Sequence, residues 1–188
     1  MSASLDDKNE LLSKRNSLCG KINNVLCCFW KRDPLVKLNL LRWYCSDFYG
    51  SVLWDMTHST TEDVCVAWRK GLRRVWDLPA ATHSKFVTSL CGLPRLKVEL
   101  ACRCVKVIGK CLNSSNYVVR HVVKQGVYFQ RLYSPIGRNA HHCVTMVDAS
   151  LSDIASNTRK LSQAWYAHHG TCREYTWKIE TYFIATVH

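Results

Sequence analysis

The chemistry most readable in this chain belongs to seven basic side chains. Arg69, Lys70, Arg73 and Arg74 recur at helical spacing, and Arg103, Lys106 and Lys110 form a second stripe at i, i+3 and i+7. Cations at these spacings share one side of a helix and can neutralise phosphates along a nucleic-acid backbone. Such contacts are independent of base sequence and sensitive to salt. Between Arg69 and Lys110 ten basic residues oppose only Asp77 and Glu99, a net +8 of the chain's formal +12. An excess of that size suits a polyanionic partner. Arg138 is an eighth candidate, within a stretch whose pattern alone reads as a structural turn leading into a helix. For the first stripe, the pattern alone fits a solvated basic face as well as a phosphate contact.

Other chemistries find less support. Cys27-Cys28, Cys102-x-Cys104 and His141-His142-Cys143 invite a zinc reading, but no paired C-x2-C or H-x3-H spacing occurs. Cys102 and Cys104 would diverge by about 200° on a helix. Fourteen acidic residues are thinly scattered, with no visible set for two-metal phosphoryl chemistry. There is no Gly-rich phosphate loop and no nucleophile elbow. His58 and His83 sit near helix ends or turns and read as capping or packing residues. No catalytic residue, cofactor or metal is expected. Trp43, Tyr44, Tyr49, Trp54, Trp68 and Trp76 could stack on bases. Their helical spacing beside leucines predicts core instead.

The elements that must carry these residues are helices. Apolar positions recur at the helical period over Lys8–Trp30, and Asp33-Pro34 supplies a cap and a first-turn proline for a helix ending before Gly50. Ser59 and Glu62 have capping-box spacing and open a helix to about Trp76. There Val64, Cys65, Trp68, Leu72, Val75 and Trp76 occupy an arc of roughly 120°, opposite the four cations. A short helix or turn is predicted over Ser84–Cys91, then helices over Pro94–Leu112 and Ser115–Lys124. Gln125–Asn139 reads mostly as loop, Ser152–Ala167 as helix, and Tyr175–Val187 as either strand or helix. The prediction is an all-α, small irregular bundle of about five to seven helices. With a polar Met1–Glu10, no secretory leader is expected, and no stretch of about 18 apolar residues suggests a membrane span. Eleven scattered cysteines suit reduced thiols in cytosol or nucleus.

Two blocks are more distinctive than any stripe. One holds Tyr49-Gly50-Ser51-Val52-Leu53-Trp54, preceded by Lys31-Arg32-Asp33-Pro34-Leu35-Val36-Lys37 and Tyr44-Cys45-Ser46-Asp47-Phe48. The other runs from Ala67-Trp68-Arg69-Lys70-Gly71-Leu72-Arg73-Arg74-Val75-Trp76 to Leu78-Pro79-x-x-Thr82-His83. In this order, and followed by Ser134–Asn139, they resemble the region just after the palm of reverse transcriptases from non-LTR (LINE-type) retrotransposons. The resemblance covers roughly residues 14–143. It implies a thumb-like helical region that grips an RNA–DNA duplex or RNA by its phosphates, flanked by a frayed start at 1–13 and a C-terminal tail of unknown role at 144–188. The aromatic-x-Asp-Asp motif of the family's palm does not occur in this sequence, so the resemblance implies a noncatalytic piece. A helical module without its palm is expected to expose apolar surface and to self-associate. The contrasting expectation is a helical protein-interaction remnant with no nucleic-acid activity.

Overall fold

The computed structural model describes residues 7–129, 133–145 and 149–169; nine α-helices and no strand occur among them. Helix α1 (Asp7–Cys28) buries Leu11, Leu18, Ile22 and Val25, so it begins within the stretch 1–13 expected to fray. Helix α2 (Pro34–Leu40) starts as the sequence predicts: the Asp33 carboxylate accepts from the Leu35 N–H at 2.7 Å. It does not run on to Phe48, because a π-turn over Leu41–Cys45 widens and then ends it. Gly50, at φ 81°, takes a left-handed conformation open to glycine and swings the chain into a 3-10 turn, Ser51–Leu53.

Helix α3 (Ser59–Val75) is capped by His58, whose Nδ1 accepts from the Thr60 N–H at 3.2 Å. The cap is therefore one residue earlier than the predicted Ser59, and Glu62 is released for another partner. At the other end Asp77 sits at φ 47°, and the Leu78 N–H donates to the Arg73 carbonyl at 2.9 Å. That is a Schellman closure built on an aspartate in place of the usual glycine. Helices α4 (Ser84–Leu90), α5 (Leu96–Leu112) and α6 (Tyr117–Lys124) follow, the last capped by the Asn116 side chain. A second π-turn (Gln125–Phe129) leads to α7 (Pro135–Thr145), α8 (Leu151–Ser156) and α9 (Thr158–His169).

The expectation of five to seven helices is too low, for local reasons. Pro135 fits a first helical turn, where its missing N–H costs nothing, so a helix occupies the end of the stretch predicted as loop. Asn157, at φ −144° and ψ 46°, splits the predicted Ser152–Ala167 helix into α8 and α9. Tyr175–Val187 lies outside the described residues.

Helix α5 is the centre of the packing. Leu96, Val98, Leu100, Ala101, Cys102, Cys104, Val105, Ile108 and Leu112 are all buried, which leaves a narrow polar strip. A helix apolar nearly all round must be surrounded. Helices α6, α7, α8 and α9 pack on it, while α1 lies along α3 and α3 meets α5. A Cβ at Gly109 would come within 2.8 Å of the Ile154 carbonyl oxygen and would strike the Thr158 hydroxyl. The missing side chain is what lets α5 approach the α8–α9 junction. Ile154 and Leu161 are buried there, so α8 and α9, within the expected tail, each contribute a side chain to the core.

Phe48 sits edge-on to Trp54 (6.2 Å, 79°) and to Trp68 (6.4 Å, 80°), and Leu72 is fully buried beside them. Trp76 is half-buried against the same core. The core prediction is wrong for three aromatics: Trp43 is 87% exposed, Tyr49 84% and Tyr44 52%. The π-turn buries Leu41 and Cys45 at its ends and turns the residues between them outward.

The first distinctive block and the Ser134–Asn139 stretch meet in space. Asn139, on α7, has no exposed surface. Its carboxamide oxygen accepts from the Met56 N–H at 3.1 Å, and its Nδ2 donates to the carbonyls of Val52 (3.1 Å) and Trp54 (2.7 Å). One side chain thus satisfies three main-chain groups around the 3-10 turn. Arg138 reaches the same segment through an ion pair with Asp55 at 3.5 Å.

Candidate nucleic-acid interface

The eight predicted phosphate ligands divide into two groups of four. Arg69 is bound to Glu62 at 2.8 Å across two turns of α3. Arg73 donates from Nε and Nη2 to the Thr82 carbonyl, at 3.2 and 2.9 Å, and so clamps the loop that follows α3. Arg103 pairs with Glu99 at 2.6 Å, lies 5.9 Å from the Phe48 ring centre, and leans on the Ser46 carbonyl. Arg138 is held by Asp55. Burial pushes the Asp55 carboxyl up, but hydrogen bonds from the Thr57 hydroxyl and N–H, helped by Arg138 and His58, leave it below its ordinary value. These four cations have partners within the fold.

Lys70, Arg74, Lys106 and Lys110 are exposed, and none makes an ion pair among the described residues. Lys70 and Arg74 line a groove of about 400 Å³ between α1 and α3, with Arg15 contributed by α1. Arg74 donates to the Asn23 side chain at 2.5 Å across that groove, and Asp63 is the acidic residue in its lining. Lys106 and Lys110 line a second groove, of about 490 Å³, between α5 and α9, with Arg159 contributed by α9. Among the described residues, none that lines the second groove is acidic. Each stripe is thus completed by an arginine from a distant part of the chain. No motif marks Arg15 or Arg159; packing alone brings them in.

Three cations around a groove form a positive concavity, where field lines are focused and a phosphate chain can replace its counterions. The geometry suits charge neutralisation, with no base readout implied. Four buried thiols, Cys45, Cys65, Cys91 and Cys143, are unsuited to nucleophilic work. Burial pushes Cys45 and Cys91 up to about 11 and Cys65 up to about 12, so they stay protonated at neutral pH. Cys143, hydrogen-bonded to Cys104 and buried, is likewise raised well above the ordinary thiol value. No group of three His, Cys, Asp or Glu side chains that could hold a metal ion occurs among the described residues. No helix among them is long and apolar enough to cross a membrane. No protein-family model matches the chain, and no curated protein or solved structure is significantly similar to it.

Proposed function

We propose that the chain is a noncatalytic, thumb-like module of a LINE-type reverse transcriptase that grips the sugar–phosphate backbone of an RNA–DNA duplex or of RNA. One observation carries this reading: two grooves, each lined by three cations from two helices, on a molecule with a formal charge of +12. The resemblance of the two sequence blocks supplies the family. Intracellular placement, in cytoplasm or nucleus, follows from such a partner.

The test is fluorescence anisotropy with a short labelled RNA–DNA hybrid, repeated across salt. Neutralising about four phosphates gives a log–log slope of roughly −3 to −4. Lys70→Glu with Arg74→Glu, and separately Lys106→Glu with Lys110→Glu, should each weaken binding at least ~10-fold and flatten the slope, with unchanged melting temperature. Unchanged affinity in both variants, or no binding by the folded wild type at low salt, sinks the proposal. The exposed Trp30, Trp43, Tyr49 and Tyr133 favour a second reading, a protein-docking or self-associating surface. That surface would hold its partner with little regard to salt.

A further inference from the structure

Trp43 has an unusual setting. It lies on the π-turn Leu41–Cys45 that ends α2 and turns its side chain outward. Its indole is 87% exposed, yet it borders a pocket of about 530 Å³ between that turn, α3 and the start of α5. The volume falls within the ~300–1,000 Å³ of ordinary small-ligand sites. Arg42 and Asn39 also line it, both exposed and without side-chain hydrogen bonds among the described residues. Trp68 and Pro94 form apolar wall, and Glu99 completes the lining. Glu99 is already bound by Arg103 at 2.6 Å, so among the described residues the charge left open at the pocket is the Arg42 guanidinium.

An open aromatic face, an amide with donor and acceptor both unused, and an unpaired guanidinium form a particular combination. It matches the three parts of an unpaired nucleotide: a π-surface, a hydrogen-bonding edge and a phosphate. Single-stranded nucleic acids are held this way, by bases stacked on aromatic side chains and backbones tracked by cations. A duplex cannot present the same features, because its bases are already stacked and paired. We infer, on the basis of the nucleic-acid reading above, that this pocket takes an unpaired nucleotide, with the base stacked on Trp43 and the phosphate on Arg42. Trp68 and Lys70 point about 200° apart on α3. The pocket and the α1–α3 groove are therefore separate sites on different flanks of one helix.

The experiment uses the full chain and three probes: a blunt RNA–DNA hybrid, the same hybrid with a three-nucleotide single-stranded extension, and a single-stranded RNA. The extension carries 2-aminopurine, whose fluorescence is quenched on stacking. The wild type should prefer the extended probe to the blunt one and quench its reporter. Trp43→Ala should abolish the quench and weaken the extended and single-stranded probes roughly 5–150-fold, leaving the blunt hybrid unchanged. Trp43→Phe should restore most of the binding. Equal affinity of Trp43→Ala and wild type for all three probes overturns the inference and leaves the groove reading standing. So does a Trp43→Ala variant whose sole change is reduced self-association in sedimentation, which assigns the indole to a protein contact. If the wild type binds none of the probes at low salt, both readings fall together.

Discussion

Two regions close together in sequence treat their polar groups in opposite ways. Around residues 51–56 the main chain is tied internally, though Trp54 Nε1 and Arg138 Nε are buried without a hydrogen-bond partner among the described residues: Asn139 serves three main-chain groups, Arg138 meets Asp55, and the Thr61 hydroxyl donates to the Asp55 carbonyl at 2.7 Å. Around residues 39–43 the side chains of Asn39, Arg42 and Trp43 are left open to solvent. The first region is the more distinctive in sequence and does structural work. The second is unremarkable in sequence and holds groups a ligand could use. The same division runs through α3, where Arg69 and Arg73 are tied into the fold, Lys70 is open, and Arg74 is exposed with one hydrogen bond, to Asn23. A residue in a distinctive block is thus a weaker guide to binding than its exposure and lack of partners.

Breaking the satisfied region should have the largest effect. Asn139→Leu removes three hydrogen bonds, leaving the Trp54 carbonyl and the Met56 N–H without their side-chain partner and the Val52 carbonyl with only the Cys104 thiol, which costs about 3–5 kcal/mol. Denaturant unfolding measures it, and a loss under ~1 kcal/mol would mean the Asn139 contacts are incidental to stability. Titration sharpens the comparison at a smaller scale. Because the folded Asp55 carboxyl lies below its ordinary value, its contribution is fully present above about pH 4 and is lost as pH falls through the folded value. Asp55 and Arg138 are partly exposed, so screening holds the contribution under ~1 kcal/mol. Asp55→Asn should flatten the acid limb of the stability curve below pH ~4, while changes at Arg42 should not. The smallest effect is a gain. Asp77→Gly relieves a left-handed aspartate at the end of α3 and should stabilise by up to ~1 kcal/mol, read as a higher melting temperature.

The helical fold class was legible because apolar positions in α1, α3 and α5 follow the helical period and because Asp33-Pro34 marks a start plainly. Breaks were harder to see. Nothing in Leu41–Cys45 or Gln125–Phe129 announces a π-turn, since its extra residue depends on which neighbours must be buried. That local widening is why Trp43 and Tyr44 escape the core despite a pattern that assigns them to it. Of the candidate interface, the two basic stripes could be read from spacing. Their division into tied and open cations could not, because the partners of Arg73, Arg103 and Arg138 are backbone carbonyls or carboxylates 9, 57 and 83 residues away, or close by at Glu99.

The Asn139 contacts also impose an order on synthesis. Their partners precede Asn139 by 83 to 87 residues. At a ribosomal pace of ~5–20 residues per second, the turn at Gly50–Trp54 waits roughly 4–17 s for the side chain that secures it. During that interval α1, α2 and α3 can collapse on one another, but the buried main-chain groups of Val52, Trp54 and Met56 lack the partner they have in the finished protein. A nascent chain stalled before α7 would leave that turn unlatched and its neighbouring aromatics open to chaperones or to other chains.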